Sequence, residues 1–329
     1  MKTKLSLCMI VKNEEEYLPK CLQSVRGIAD EIIVVDTGST DSTIEIAKRF
    51  GAKVVDHKWR NDFAEARNVS LEFASGEWIL VLDADEELPQ ETRNKIAEVI
   101  GTLGADGIEV LVRSELPDGD AAIYDETKIV RLFRSKKEYR YVMPIHEQIR
   151  PSIEKGGGKI FASDLVINHH GYSRGDVQGK ENRADRNLKI LNNALSISPD
   201  DPYLHYQIGA TLMSIGKRDE AYDELKKALA LDYVKLGGAI LDKLFMKISQ
   251  LALERNDYGQ AIEFAEKSLQ QNPRNVISQY VAAIAYLSRN QIMDGYRLLL
   301  RIRENQNSNL KLGKQLKDLI NACEKVLNI

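Results

Sequence analysis

Two aspartates in this chain stand where a ligand-binding site is expected. Asp83 and Asp85 follow the apolar run Trp78–Leu82, with one residue between them. The run predicts a buried strand, and ligands of open α/β sheets bind at the carboxyl ends of the strands. Because the chain turns at a strand end, the two carboxylates can converge on one ion. Oxygen ligands suit Mg²⁺ or Mn²⁺ bound together with substrate phosphates, so the pattern predicts a divalent-metal site.

The same residues also fit an acidic helix start. In that interpretation Asp85 caps a helix, and Glu86 and Glu87 lie in its first turn, where negative charge is favourable. An Asp-x-Asp pattern is common in proteins, so these residues alone leave both interpretations open.

Polar residues at two earlier strand ends favour the ligand site. The predicted strand Leu5–Val11 is followed by Asn13 and Glu14, and the predicted strand Glu31–Val35 is followed by Asp36. Neighbouring parallel strands end at the same edge of a sheet, so these side chains are expected to share one site with the aspartates.

The residues after Asp36 also predict a capped turn. Gly38 permits a tight turn, and Thr40 or Asp41 can cap the helix that follows. This explains the turn but leaves Asp36 itself, whose place at the strand tip suits a hydrogen bond to a ribose or a base.

The elements that position these residues alternate up to about residue 170. Short apolar runs separated by segments of helical periodicity predict βαβ units and a sheet buried on both faces. Such crossovers are right-handed, which gives a Rossmann-like, mostly parallel sheet. The predicted strands are Leu5–Val11, Glu31–Val35, Lys53–Val55 and Trp78–Leu82, and the predicted helices are Glu16–Val25, Ser42–Phe50 and Phe63–Ala74.

After about residue 180 the chain changes to helices rich in alanine and leucine. Small residues recur at matching offsets in two helical hairpins, and Pro273 ends the second helix of the later one, as Pro199 does in a preceding half-unit. The pattern resembles the tetratricopeptide repeat of ~34 residues, although His205 stands where that family prefers tryptophan. A weaker unit covers Val276–Arg303, and Leu310–Leu327 is expected to be a capping helix. The predicted domains are therefore 1–175 and 176–329, linked through Gly171–Gly179.

Composition excludes several classes of protein. The 329 residues carry a formal net charge of -3, so no basic excess exists for binding nucleic acid. No apolar run is long enough for a transmembrane helix, and the apolar N-terminal segment lacks the cleavage site of a leader and is expected to be a strand. Three cysteines without CxxC spacing predict reduced thiols, so a cytoplasmic location is expected.

The stretch from Leu5 to Glu87 resembles the family 2 glycosyltransferases of the GT-A fold. The resemblance implies that Glu14 and Asp36, with Asn13, bind a nucleoside, and that Asp83 and Asp85 bind a metal and the diphosphate.

A second motif of that family lies in the run Asp62–Asn68, which matches the helix before the Asp-x-Asp strand. Arg67 is the expected contact to the base or the diphosphate, because a guanidinium suits phosphate geometry. A surface ion pair with Glu65 or Glu72 is the alternative.

Three later motifs narrow the subgroup. Lys128–Arg134 predicts a strand with outward basic residues, and the segments Ile145–Ile149 and Ile167–Tyr172 carry histidines. Their order resembles bacterial lipopolysaccharide-core β-glucosyltransferases and the S-glycosyltransferases that modify glycopeptide bacteriocins. The processive motif Gln-x-x-Arg-Trp is missing, so a single transfer to a discrete acceptor is expected.

Sugar transfer with inversion needs a base that takes the acceptor proton. Many family members use an aspartate of a Glu-Asp pair, and His146-Glu147 stands in the equivalent region here. Glu147 is therefore the expected base and His146 the competing candidate. The resemblance makes His169 a further metal or diphosphate ligand, with His170 as the alternative within the doublet.

The predicted protein is thus an inverting, metal-dependent glycosyltransferase that moves a hexose from a UDP-sugar with Mn²⁺ or Mg²⁺. A peptide or protein acceptor is favoured because helical repeats form a concave groove. A lipid-linked or lipopolysaccharide sugar is the alternative acceptor, and self-association through the repeats is possible. Two other classes stay open: a nucleotidyltransferase, and a non-catalytic repeat scaffold. The glycines at 156–158 are expected to form a hairpin loop near the acceptor.

Overall fold

The computed structural model describes residues 4–101, 104–116, 123–171, 177–304 and 313–328. The chain divides into two compact units, Met1–Asp176 and Val177–Ile329. The predicted link Gly171–Gly179 lies partly outside the described residues. Tyr172 is not among the described residues.

The first unit is built on one sheet of eight strands among the described residues. Its order is β3-β2-β1-β4-β7-β6-β8-β5. The strands are β1 (Leu5–Val11), β2 (Glu31–Asp36), β3 (Lys53–Asp56), β4 (Trp78–Val81), β5 (Glu86–Glu87), β6 (Gly107–Leu116), β7 (Ile123–Arg134) and β8 (Ile160–His169). The helices are α1 (Leu18–Ser24), α2 (Thr43–Arg49), α3 (Phe63–Phe73), α4 (Gln90–Ile100) and α5 (Arg150–Lys155).

The first half of the sheet confirms the predicted βαβ pattern. Strands β1 to β4 are mutually parallel, and each predicted element ends within two residues of its observed bound. The second half makes the sheet mixed, because β7 runs antiparallel to both β4 and β6. Strand β8 pairs parallel with β6 and antiparallel with the short β5.

Apolar side chains cover both faces of the sheet, as continuous apolar strands require. One core contains Leu18 and Leu22 of α1, packed with residues of α2 and α4. The other core contains Leu71 of α3 and Ile153 of α5. The carboxyl ends of β1, β2 and β4 are therefore fixed between two packed layers.

The glycines at 156–158 do not form the predicted hairpin loop. Gly156 ends α5, and the segment then leads into β8. A side chain at Gly158 would meet the Tyr139 hydroxyl at 2.5 Å, so this tight passage between a helix and a strand requires glycine.

The second unit contains only helices among its described residues. They are α6 (Val177–Ile197), α7 (Pro202–Ser214), α8 (Arg218–Ala230), a 3₁₀ turn (Tyr233–Leu236), α9 (Gly238–Glu254), α10 (Tyr258–Gln271), α11 (Val276–Ser288), α12 (Ile292–Glu304) and α13 (Gly313–Leu327). Consecutive helices pack in pairs, which confirms the predicted hairpins. None of the helices in the described part of the chain could cross a membrane.

His205 is a structural residue of the hairpin formed by α7 and α8. The residue is 8% exposed, and its Nδ1 lies 2.7 Å from an oxygen of Glu224. The other ring nitrogen lies 3.1 Å from the carbonyl oxygen of Pro199. The imidazole thus fills the tryptophan position of the repeat between two oxygen acceptors.

Close helix packing in the repeats depends on glycine. A Cβ on Gly209 would lie 2.7 Å from Leu225 and 3.1 Å from the carbonyl oxygen of Ala221. At Gly259, in the first turn of α10, the nearest atom is an oxygen of Asp257 at 3.6 Å.

We expect Gly209→Ala to destabilise the helical unit relative to Gly259→Ala. Overpacking costs roughly 1–3 kcal/mol, while alanine gains about 1 kcal/mol of helix propensity at either site. Thermal unfolding followed by the helical circular dichroism signal measures the difference. Equal midpoints for the two variants would show that α7 and α8 are not in close contact.

Candidate active site

The parallel strands bring the predicted polar residues to one edge of the sheet. Val11 at the end of β1 is in register with Asp36 at the end of β2. Strand β4, on the other side of β1, ends two residues before Asp83. The three strand ends that the sequence singled out therefore lie side by side.

Asp36 is held by the turn that follows it. Its side chain is 2% exposed and accepts hydrogen bonds from the backbone nitrogens of Gly38 and Ser39, each at 3.0 Å. The N-cap residue of α2 is Ser42, without a side-chain cap hydrogen bond, so neither Thr40 nor Asp41 occupies the expected cap position. Asp41 instead accepts from the backbone nitrogen of Thr43 at 3.0 Å within the turn.

Asn13 and Glu14 connect the end of β1 to the same turn. Asn13 adopts a left-handed backbone with φ of 56°, and its side-chain oxygen accepts from the Thr40 backbone at 2.8 Å. The Glu14 carboxyl lies close to the aspartates of β4: burial, then Asp85 and Asp83, raise its pKa to about 7. Glu14 thus faces the Asp-x-Asp motif, while the described contacts of Asn13 go to the turn after β2.

Arg67 is buried between two carboxylates. It is 5% exposed; its Nε donates to Oε1 of Glu147 and its Nη2 to Oδ1 of Asp83, both at 2.6 Å. The alternative of a surface ion pair with Glu65 or Glu72 is therefore wrong. The buried face of α3 turns Arg67 inward, while Glu65 pairs with Arg60 on the outside.

A second buried arginine completes the charge network, and sequence reasoning missed it. Arg131 is 8% exposed and donates from Nη2 to Asp83 at 3.0 Å and to Glu86 at 2.6 Å. The prediction that the basic residues of this strand point outward is wrong for Arg131. Strand β7 lies between β4 and β6, so residues on both of its faces are buried.

The two arginines determine the charge state of Asp83. Burial alone would raise the pKa of Asp83, but Arg67 and then Arg131 hold it well below its usual range. Each of its carboxylate oxygens already accepts from one guanidinium. Asp83 is therefore an anion at neutral pH whose orientation is fixed.

Asp85 faces the histidine doublet instead of starting a helix. Residues after it form β5, and α4 begins only at Gln90, so the acidic helix start is wrong. Because β5 pairs with β8, the Asp85 carboxylate lies 3.2 Å from Nε2 of His169. The other ring nitrogen of His169 lies 2.9 Å from the hydroxyl of Ser114, which orients the imidazole.

Gly171 leaves room for this pair. A Cβ at that position would overlap the carboxylate of Asp85 and lie 2.8 Å from Nε2 of His169. One carboxylate and one imidazole suit Mn²⁺ or Mg²⁺ when phosphates supply other ligands. The described residues contain no cluster of three or more His, Cys, Asp or Glu side chains that could hold a metal by itself.

His170 points to different partners from those of His169. Its Nε2 lies 3.0 Å from Glu87 and 3.4 Å from the ammonium of Lys20. All three side chains line a cavity of about 210 Å³ that also reaches Asp85. Within the doublet, the geometry therefore brings His169 and not His170 to the Asp85 carboxylate.

Glu147 and His146 lie on a short loop between β7 and α5. The Glu147 side chain is 13% exposed and is fixed by Arg67. His146 is exposed and has a φ of 54°. Desolvation of its imidazole lowers the pKa of His146, and neighbouring Glu147 opposes that shift.

Removing Arg131 from its ion pair with Glu86 should lower the free energy of unfolding. Arg131→Met leaves the 2% exposed Glu86 without its cation, which is expected to cost about 3–5 kcal/mol. Adding Glu86→Gln removes the stranded charge and should recover a large part of that loss. Denaturant unfolding of both single variants and the double variant measures the coupling; additive losses would contradict the observed pairing.

Comparison with known proteins identifies two families in the chain. Residues 6–149 match the family described as Glycosyl transferase family 2, and residues 202–234 match a tetratricopeptide repeat. A tetratricopeptide repeat-containing protein of Synechococcus elongatus is 35% identical over 81% of this chain and 66% of its own length. The prophage-derived glycosyltransferase SunS of Bacillus subtilis is 32% identical over 76% of this chain and 59% of its own length.

The chain thus spans about six tenths to two thirds of these relatives. Among solved structures, a mannosyltransferase of Pyrobaculum calidifontis in complex with GDP-Man and Mn²⁺ is similar over 83% of this chain and 88% of its own, at 17% identity and a TM-score of 0.44. The family match covers the ends of β1, β2 and β4. The first unit thus carries a domain of the family 2 glycosyltransferases, at residues 6–149, and the second unit carries a tetratricopeptide repeat, at residues 202–234.

Proposed function

We propose that this chain transfers a hexose from a UDP-sugar to a discrete acceptor, with inversion and with a divalent metal. The observation that carries the proposal is the position of Arg67, which contacts both Asp83 and Glu147. One guanidinium thus joins Asp83 of the Asp-x-Asp motif to Glu147, the expected base, although the two carboxylates are 64 positions apart in the sequence. Donor site and base therefore belong to a single site.

The donor would lie across the ends of β1, β2 and β4. Asn13, Glu14 and Asp36 are proposed to bind the nucleoside, in agreement with the family resemblance. Asp85 and His169 are proposed as the protein ligands of Mn²⁺ or Mg²⁺, which supplies positive charge to the departing diphosphate. Each oxygen of Asp83 already accepts from one arginine and keeps a further lone pair, so the metal role of Asp83 stays a prediction from the family resemblance.

Glu147 is the proposed base because one of its oxygens stays available. Oε1 accepts from Arg67, and among the described residues no hydrogen bond to Oε2 is found. A carboxylate fixed through one oxygen can receive the acceptor proton at the other as the acceptor attacks the anomeric carbon. His146 is the competing base, since it is the exposed neighbour on the same loop.

A peptide or protein is the favoured acceptor. Helical repeats stack into surfaces that bind extended chains, and the resemblance to bacteriocin S-glycosyltransferases points the same way. A lipid-linked or lipopolysaccharide sugar is the alternative acceptor. A non-catalytic scaffold is the alternative of another class, and failure to bind any nucleotide would favour it.

We expect Asp85→Ala to abolish metal-dependent binding of UDP. The variant loses the carboxylate that faces His169, so the metal keeps only one protein ligand. Calorimetric titration with UDP, with and without Mn²⁺, measures the loss. Asp164→Ala is the matched control, because that carboxylate is 69% exposed and pairs only with Lys95 among the described residues.

The donor site is supported if the wild type and Asp164→Ala bind UDP tightly only with Mn²⁺, while Asp85→Ala shows no Mn²⁺-dependent binding of UDP. Metal-dependent binding that survives in Asp85→Ala would contradict the assignment of Asp85. If the wild type binds no nucleoside diphosphate at all, the proposed enzyme function fails.

We expect Glu147→Gln to bind UDP normally but to transfer at least 100-fold more slowly, since a positioned base contributes roughly 10²–10⁴-fold. Release of UDP from a UDP-hexose measures turnover. Glu154→Gln, an exposed carboxylate on the neighbouring α5, is the control. Normal turnover of Glu147→Gln together with a loss in His146→Ala would move the base to His146.

A further inference from the structure

The loop that carries His146 and Glu147 is closed by backbone hydrogen bonds, although two of its residues adopt backbone angles that are unfavourable for residues with side chains. Val142 and Gln148 exchange two backbone hydrogen bonds of 3.0 Å, which closes a tight bend. Inside the bend, Met143 and His146 have φ values of 75° and 54°. Residues with side chains rarely adopt this left-handed region, so contacts from outside must stabilise the loop.

Helix α3 supplies those contacts at three points. At the tip of the loop, the backbone nitrogen of Phe63 donates to the carbonyl oxygen of Pro144 at 2.8 Å. This N–H belongs to the first turn of the helix, where no partner within the helix exists. Near the end of the loop, Arg67 holds Glu147.

The third contact is made by Asn68 at the start of the loop. Its Nδ2 donates to the carbonyl oxygen of Tyr141 at 2.9 Å, and its Oδ1 accepts from the Tyr141 backbone nitrogen at 2.8 Å. The side-chain amide thus pairs with the loop backbone as a neighbouring strand would. Both bonds are lost together if the loop moves.

These contacts come from one short stretch of a rigid helix. Phe63, Arg67 and Asn68 lie within six residues of α3, and the same Arg67 fixes Asp83 of the Asp-x-Asp motif. The distance from Glu147 to the donor site is therefore set by α3 and not by the loop itself. An error of about 1 Å in such a distance can lower a rate about 100-fold.

We propose that Asn68 is a positioning residue for catalysis: it holds the loop so that Glu147 points at the acceptor. The inference rests on the proposed function, in which Glu147 is the base. Asn68 carries no charge, and its described hydrogen bonds go to the backbone of Tyr141, so it acts without touching the donor.

The test compares Asn68→Ala with Asn94→Ala. Asn94 is exposed on α4, and its side chain accepts a hydrogen bond from Gln90 of the same helix. UDP release is measured from the fastest substrate among UDP-glucose, UDP-galactose and UDP-N-acetylglucosamine. For Asn68→Ala we expect kcat to fall about 10- to 100-fold, while the Kd for UDP with Mn²⁺ changes less than twofold.

A second comparison separates positioning from general structural damage. In the Glu147→Gln background, Asn68→Ala should leave the residual rate unchanged, because no base remains to be positioned. If Asn68→Ala does not fold, Asn68→Asp carries the same test, since it has the same shape and keeps the acceptor for the Tyr141 N–H.

Three results would overturn the inference. They are an unchanged kcat, a loss of UDP affinity parallel to the loss of kcat, and an equal rate loss in the Glu147→Gln background. Wild-type activity in Glu147→Gln alone would instead reject the base assignment. Absence of UDP-sugar turnover by the wild type would reject the proposed function, and this inference with it.

Discussion

The site depends on one buried guanidinium between two carboxylates. Arg67 is 5% exposed and contacts Asp83 and Glu147 at the same time. Removing one partner of such a buried group leaves an uncompensated charge, which costs about 3–5 kcal/mol. The network therefore loses stability if any one partner is removed, and it holds the carboxylates of Asp83 and Glu147 in one arrangement. The network serves to fix geometry more than to add stability, since a buried ion pair by itself adds little net stability.

The sheet explains why these charges can be buried at all. Strands β1 and β4 are parallel and end at the site, while β7 enters between β4 and β6 in the opposite direction. Antiparallel β7 brings Arg131 to the aspartates, where it pairs with both Asp83 and Glu86. The parallel strands thus end at the carboxylates, and the antiparallel β7 carries Arg131, the second cation that pairs with them.

Sequence patterns predicted the parallel half of the fold and the strand-end carboxylates, because apolar runs and helical periodicity are local signals. The orientation of Arg131 escaped prediction, since a central strand is buried on both faces and alternation no longer separates inside from outside. The contact from Arg67 to Glu147 joins residues 80 positions apart, so no local pattern contains it. The sequence alone did not show which histidine of the doublet lies at Asp85. The pairing of β5 with β8 places His169 there.

The proposed reaction is a single displacement with inversion, in which one base removes the acceptor proton and the diphosphate leaves from the opposite face of the sugar. Proton NMR of the hexose released from a UDP-α-hexose with Mn²⁺, recorded before the anomers equilibrate, tests it most directly. We expect the β-anomer to appear first. Initial release of the α-anomer would contradict a single-step inversion and the role of Glu147 as the base.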